Sequence, residues 1–397
     1  MQKVVVMGLK IDFKNLLSLE NPYKSLKKIH ILNVVLNKNQ TEMKLEDLGY
    51  NKNLETFRKQ QNLDLFDIGR VIAEHKDRYV VKTSITEYDA ELIGNLRFTA
   101  ESRYDLPAVG DWVAFSEYNE NKALIHAVYP RHSIIERQAV GKSSQIQIIA
   151  TNVDYALIVQ SVNRDFNINR LERYLTVCNT SNVEPIIILS KIDLIEEQVL
   201  KVLINDIKQR IKDVVLIPVS NQSNIGLEKI LSFLKKGKTY CLLGSSGVGK
   251  STLLNKLSGQ ELMTTDEISA RVDRGKHVTT HRELIVLENG GIFIDNPGMR
   301  EIGITDATSG FEITFNDIIE LAQSCKFNDC THNNEEGCAI QMAIEKGEID
   351  SESYANFLKI EKEKSFFELS KEEKRKKDRN FGKMIKDIKK QRKQNKY

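Results

Sequence analysis

Through the first 66 residues short apolar runs alternate with Lys- and Asn-rich stretches, and no period holds. From Gly69 to about Arg137 the texture changes. The segments GRVIAEH, RYVVKT, AELIGNLRF, DWVAFS and ALIHAVY alternate apolar and polar positions, and turn signals such as Pro107 to Asp111 (PAVGD) separate them. A period of two is what side chains on a half-buried strand require. Five short strands in about seventy residues predict a small all-β barrel of the oligonucleotide-binding (OB) type; an SH3-like barrel has the same pattern.

From about Val153 the pattern becomes strand, helix, strand. YALIVQSV, PIIILS, VVLIPVS, TYCLLG and GIFID are near-continuous Ile, Val and Leu runs, and segments with helical spacing separate most of them. Such runs suit strands buried on both faces, so an α/β domain with a parallel sheet is predicted. After about Asp317 the chain turns helical, interrupted by a cysteine cluster, and from about Ser351 it reads as charged helix. There is no internal repeat.

Composition changes this picture little. The chain has 397 residues, enough for two or three domains with their own cores. No apolar run approaches the roughly 18 residues of a membrane span, and the N-terminus lacks a signal-peptide pattern. The reading is therefore cytoplasmic, with no membrane partner. Charge adds more. The formal net charge is +3, but Glu361–Tyr397 carries 15 Lys/Arg against 7 Asp/Glu, leaving −5 on the remainder. A basic tail on a mildly acidic body points to a polyanion such as nucleic acid; standing alone, it would read rather as a solvated, partly disordered tail.

The chemistry starts at Gly244. Gly244-Ser245-Ser246-Gly247-Val248-Gly249-Lys250-Ser251 satisfies G-x-x-x-x-G-K-S/T, follows the strand TYCLLG and opens the helical run KSTLLNKL. In that context the loop amides and the helix N-terminus, with Thr252 next in line, face phosphates. Lys250 reaches the β- and γ-phosphates, and the Ser251 hydroxyl binds Mg²⁺. Earlier in the chain PIIILS runs into Ser190-Lys191-Ile192-Asp193, close to the guanine motif Asn-Lys-x-Asp. The Asp193 carboxylate accepts from guanine N1–H and the 2-amino group, and adenine would leave it buried and unpaired. Ser190 stands in place of the Asn, and a single hydroxyl cannot make all the amide's contacts, so weaker binding is expected. Val219-Ser220-Asn221, also at a strand end, is a second guanine-side candidate.

Downstream, Asp295-Asn296-Pro297-Gly298 matches D-x-x-G at the end of GIFID. Asp295 would hold Mg²⁺ through water and the Gly298 amide would face the γ-phosphate. Between lies Arg274-Gly275-Lys276-His277-Val278-Thr279-Thr280, where Thr279 or Thr280 supplies a second Mg²⁺ ligand. Met299 occupies the place of the water-orienting Gln of Ras-like enzymes, and a thioether cannot position water. His277 or a group from a partner is the candidate replacement; otherwise His277 is a solvated loop residue. Lys250, His277 and Thr279 are thus the catalytic candidates, and slow intrinsic turnover is expected. The guanine motifs precede the phosphate loop, the reverse of the ordinary order, so the GTPase is circularly permuted.

Cys325-x₄-Cys330-x-His332-x₅-Cys338 offers three thiolates and an imidazole within fourteen residues. All four positions of a Zn²⁺ tetrahedron filled by protein make a structural site. Cys178, Cys241, His75, His126, His132 and His281 have no such company.

PRHSIIER, GSSGVGKS, RGKHVTT, DNPGMR and CKFNDCTHNNEEGC, in permuted order over about residues 68–350, resemble the small-ribosomal-subunit-dependent GTPase family (RsgA, also called YjeQ). The resemblance implies an OB-fold barrel, then an α/β circularly permuted P-loop GTPase, then a small α-helical zinc-binding domain. It also implies GTP/GDP, Mg²⁺ and one structural Zn²⁺ as cofactors, hydrolysis stimulated by the small (30S) ribosomal subunit, a role in its late maturation, and contacts to rRNA. The expected divisions are 1–66 as an N-terminal extension, 67–140 as the barrel, 145–315 as the GTPase, and 316–397 as the zinc domain with its basic tail. Lys276 and Val278 depart from the family pattern, whereas His277, Thr279 and Thr280 keep it. MKLEDLGYNKNLE from Met43 looks like a family start, so residues 1–42 read as an upstream extension. A monomer suits a factor that docks on one large particle. Two alternatives remain: another P-loop enzyme, against which Asp193 argues, and an RNA-binding zinc protein with a non-hydrolysing nucleotide site, which Met299 keeps open.

Overall fold

The computed structural model describes residues 5–6, 9–10, 43–75, 78–138, 146–163, 166–259, 283–295, 308–333 and 335–368. Strands β1 (Val5–Val6) and β2 (Leu9–Lys10) pair antiparallel within a unit that ends at Lys44. Everything that follows belongs to a second unit.

That unit starts with a helical turn at Leu45–Leu48 and helix α1 (Lys52–Gln60). Asn51 caps α1: its side chain accepts from the amides of Asn53 (3.0 Å) and Leu54 (3.2 Å), two donors with no partner inside the helix. The predicted barrel follows as β3 (Asp67–His75), β4 (Arg78–Lys82), β5 (Glu87–Leu92), β6 (Trp112–Asn119) and β7 (Lys122–Val128). Its strands pair in the order β3-β4-β5-β7-β6 and back to β3, with β5–β7 the one parallel pair. Closure leaves no free edge, and Val71, Val81, Val113, Phe115 and Ile125 fill the interior. This Greek-key closure, with a helix between the third and fourth strands, is the OB type rather than the SH3-like one.

Two sequence expectations shift here. AELIGNLRF is strand only as far as Leu92; the rest forms helix α2 (Gly94–Thr99). A parallel partner cannot be reached by a tight hairpin, so the chain crosses the barrel end first. PRHSIIER lies outside the barrel: β8 (Ile134–Gln138) pairs instead with β9 (Ile146–Thr151) as a separate ribbon. The closed barrel has no backbone groups left to pair with it.

Arg70 lies beneath the barrel, 1% exposed. It donates to the carbonyls of Leu48 (2.6 Å), Gly110 (3.0 Å) and Asn152 (3.2 Å), fastening the N-terminal turn, the barrel and the approach to the next domain. Burial pulls its guanidinium down to about 10, so it stays charged at neutral pH.

The α/β part runs β10 (Tyr155–Ser161), α3 (Ile168–Thr180), β11 (Glu184–Ser190), α4 (Glu197–Arg210), β12 (Val215–Pro218), α5 (Leu227–Phe233), β13 (Thr239–Leu243), α6 (Lys250–Ser258), β14 (Glu283–Val286) and β15 (Ile292–Asp295). The sheet order is β12-β11-β10-β13-β15-β14, parallel apart from β14. Alternate residues of the Ile-rich strands feed two cores. Ile187 and Leu189 pack on one side, Ile186 and Ile188 on the other, as a sheet covered on both faces demands. Glu283 of β14 pairs with Ala73 of β3, joining barrel and parallel strands into one eleven-stranded sheet.

Helices α7 (Thr308–Thr314), α8 (Asn316–Ala322), α9 (Ala339–Glu345) and α10 (Ser351–Glu368) close around Phe311, Phe315, Ile318, Ile340, Phe357 and Ile360. They dock on α3. Gly310 lies so close to it that a Cβ would sit 2.3 Å from the Thr176 carbonyl oxygen. Among the described residues no helix is long and apolar enough to cross a membrane.

Candidate active site and metal centre

The parallel strands all end at one sheet edge, where open α/β folds place their ligands. β10 and β11 are in register to Ser161 opposite Ser190, and β13 pairs with β15 up to Cys241 opposite Ile294. The loop after β13, the turn after β11 and Asp295 at the end of β15 therefore converge.

The Gly244–Gly249 loop enters α6 through Gly249, whose φ of +96° favours glycine. A Cβ there would lie 3.1 Å from the Asn221 amide nitrogen. Lys250 folds back over the loop, and its Nζ donates to the carbonyls of Gly244 (2.8 Å) and Ser245 (2.6 Å). Those bonds hold the ammonium over the Gly-rich loop.

Ser190 is buried, and its hydroxyl donates to the Val248 carbonyl at 2.6 Å, tying the end of β11 to the Gly-rich loop. Lys191 adopts a left-handed conformation (φ +60°) and starts the Ile192–Leu194 turn that carries Asp193. The Ser220 hydroxyl donates to the Asp193 carboxylate, and the Ile192 amide to the Val219 carbonyl at 3.3 Å. The Asn221 Nδ2 donates to the Gly249 carbonyl at 3.2 Å. Ser190, Asp193, Ser220, Asn221, Val248, Gly249 and Lys250 thus form one hydrogen-bonded edge. His277, Thr279, Thr280, Gly298 and Met299 lie outside the described residues.

One neighbour of the loop was not legible in the sequence. Arg170 near the start of α3 donates through Nη1 to the Ser245 hydroxyl at 2.9 Å. Tyr174, one turn on, also faces Ser245; burial raises its hydroxyl pKa, while the Ser245 contact opposes that shift. Between them Glu172, 2% exposed, takes Arg210 bidentately (2.9 Å to each oxygen), together with Ser353 (2.8 Å) and Asn356 (2.7 Å) of α10. Arg173 pairs with Glu363 at 2.7 Å. The helix that touches the Gly-rich loop is thus also the seat of the C-terminal helices. No motif announces these residues, because an Arg and a Glu in a helix ordinarily face solvent.

Cys325, Cys330, His332 and Cys338 come together with all ligand atoms within 4.8 Å of one another. Cys325 Sγ lies 3.4 Å from His332 Nδ1 and 4.0 Å from Cys338 Sγ; Cys338 Sγ lies 3.6 Å from His332 Nδ1. Two thiolates about 2.3 Å from a common ion would stand roughly 3.8 Å apart, so the spacing suits a tetrahedral zinc ion. His332 takes a left-handed backbone (φ +60°), and the Gln341 side-chain Nε2 donates to its carbonyl at 2.6 Å. Glu335 accepts from the Thr331 hydroxyl and from the amides of Thr331 (3.1 Å) and Asn333 (3.0 Å), which holds its carboxylate down at about 2.

Residues 128–305 match the family model described as RsgA GTPase. Small ribosomal subunit biogenesis GTPase RsgA 2 of Listeria monocytogenes is 44% identical over 325 residues, covering 82% of this chain and 90% of the relative. The protein of the same name from Lactiplantibacillus plantarum is 42% identical over 299 residues, covering 75% and 84%. Among solved structures, YloQ, a circularly permuted GTPase, superposes with a TM-score of 0.54 at 25% identity over 77% of this chain and 97% of its own. YjeQ from Thermotoga maritima shares the fold, with a TM-score of 0.56 over 75% and 98%. With its strand order, its permuted motifs and relatives this similar over most of their length, the chain is a GTPase that belongs to the RsgA GTPase family.

Proposed function

We propose that this GTPase binds the small ribosomal subunit and assists its late maturation, turning over GTP when the subunit completes its site. The observation that carries the nucleotide assignment is the tether between the guanine-side strand and the Gly-rich loop, Ser190 to Val248. It supports a reading in which Asp193 takes the base and Lys250 the phosphates of one molecule. The relatives' names supply the ribosomal partner.

In this reading Gly244 to Lys250 and Thr252 cradle the phosphates. Ser251, Thr279 and Asp295 would hold Mg²⁺, which neutralises charge on the β- and γ-oxygens when bound. Gly298 meets the γ-phosphate, and His277 or a ribosomal group positions the water. Asp193, already held by Ser220, reads guanine N1–H and the 2-amino group, flanked by Lys191 and Ile192. Cys325, Cys330, His332 and Cys338 hold a structural zinc. The barrel at 67–140, the GTPase at 145–315 and the basic 316–397 region act as separate domains, the first and last touching rRNA. The protein works as a cytoplasmic monomer.

GTP hydrolysis by the purified chain, alone and with isolated small or large subunits, tests the proposal. Stimulation by the small subunit only, lost on Lys250→Ala, is the expected result. Nucleotide binding without turnover under either condition would leave an RNA-binding zinc protein with a silent site. Preference for ATP would remove the Asp193 argument.

A further inference from the structure

Ser245, half-buried at the start of the Gly-rich loop, is held through two of its groups. Its carbonyl takes the Lys250 ammonium at 2.6 Å, beside the Gly244 carbonyl at 2.8 Å. Its hydroxyl accepts from Arg170 Nη1 at 2.9 Å and faces the Tyr174 oxygen on the next turn of α3. A hydroxyl carries one proton, and this one is engaged on both sides by α3, so it anchors the loop rather than binding phosphate. A line of contacts therefore runs from Arg170 through Ser245 to Lys250.

Arg170 holds an unusual place in its helix. It is the third residue of α3, whose first turn has no acidic residue, and its amide meets the Asn167 cap at 3.3 Å. Capping boxes put Glu or Gln there, and the positive end of a helix disfavours a cation. A guanidinium kept there all the same, and turned onto a loop built for phosphates, adds positive charge where GTP hydrolysis builds negative charge. Its helical turn is also pinned from behind. Asn356 of α10 donates to the Asn169 carbonyl at 3.2 Å and to the Glu172 carboxylate at 2.7 Å, so it straddles Arg170.

We propose that Arg170 is a positioning residue for GTP hydrolysis: through the Ser245 hydroxyl it fixes the loop carbonyls from which Lys250 passes to the β- and γ-phosphates. The inference rests on the assignment of Lys250 to the phosphates. Ground-state binding draws mainly on the amides from Gly247 to Ser251, at the other end of the loop. Loss of Arg170 therefore disturbs Lys250 in the transition state more than it weakens affinity, and it shows in kcat rather than in KM.

The test is GTP hydrolysis by the full-length protein, with kcat and KM measured separately beside a thermal melt. Arg170→Met lowers kcat roughly tenfold, the worth of one charge-assisted hydrogen bond, and leaves KM within about twofold. Arg170→Lys, which can still donate to Ser245, recovers most of the loss. Ser245→Ala loses a similar factor, and adding Arg170→Met to it lowers kcat no further, because both remove the same contact. Full kcat in Arg170→Met, a loss confined to KM, or losses from the two substitutions that multiply each overturn the proposal. Should Arg170→Met fail to fold, Ser245→Ala decides alone, and full kcat there overturns it. A natural protein without turnover would strike the hydrolytic reading and the proposal together, whereas full turnover in Lys250→Ala would strike the Lys250 assignment; both are distinct from an Arg170 without effect.

Discussion

Single residues in this protein matter through the groups they leave satisfied or unsatisfied. Ser190 is the clearest case, a small side chain that spends its proton on a loop carbonyl in a buried setting. Ser190→Ala leaves that carbonyl without its donor and frees the loop from β11. GDP affinity is expected to fall roughly tenfold with the fold retained, measured by calorimetric titration beside a thermal melt. Unchanged affinity would mean that the tether does not shape the bound state. The motif in the sequence singled out position 190 because it departs from Asn-Lys-x-Asp, but the partner of its hydroxyl lies 58 residues on. Chemistry at a motif is local, whereas the compensation for a departure from it is made across the fold.

At the scale of elements, helix α3 joins two functions. Its first turns meet the Gly-rich loop through Arg170, and its buried Glu172 collects Arg210, Ser353 and Asn356. Removing one partner of a buried pair strands the other. Glu172→Ala is therefore expected to cost about 3 kcal/mol, read from urea denaturation. The C-terminal helices should become the first region to exchange amide hydrogens. A loss within about 0.5 kcal/mol, the range of an ordinary surface change, would show that Arg210 finds full compensation elsewhere. The strands themselves were readable in advance: PIIILS and TYCLLG are strands because Ile, Val and Leu fill both faces of a covered sheet. GNLRF was misread as strand because period two over a few residues does not show where the chain must turn, and the barrel topology decides that.

For the whole molecule the Cys/His cluster and two partly desolvated imidazoles set conditions. The C-terminal core is small and built around the Cys325–Cys338 segment, so zinc removal by a chelator is expected to open it to protease while the barrel and parallel sheet persist. Metal analysis should find one zinc per chain; an unaltered digestion pattern after stripping would count against a structural ion. Burial lowers both His126 and His132 from the usual 6.5, with Asp154 pulling the second the other way. A folded state that resists protonation keeps its full stability above about pH 6.5 and loses it as pH falls through the lower folded values. The melting temperature should accordingly drop between about pH 7 and pH 5, with a shallower drop in His132→Asn; an equal drop in that variant would remove His132 as a source. By itself the sequence determined the barrel strands, the parallel strands, the Gly-rich loop, the permuted motif order and the four residues of the Cys/His cluster. Each is written in neighbouring residues, as a period, a turn or a spacing. Only the tertiary structure decided that β8 leaves the barrel, that Ser190 ties β11 to the loop, and that α3 carries both Arg170 and the Glu172 node. Those outcomes depend on which surfaces meet, and a polar residue in a helix or at a strand end has no local signature for the partner that will bury it.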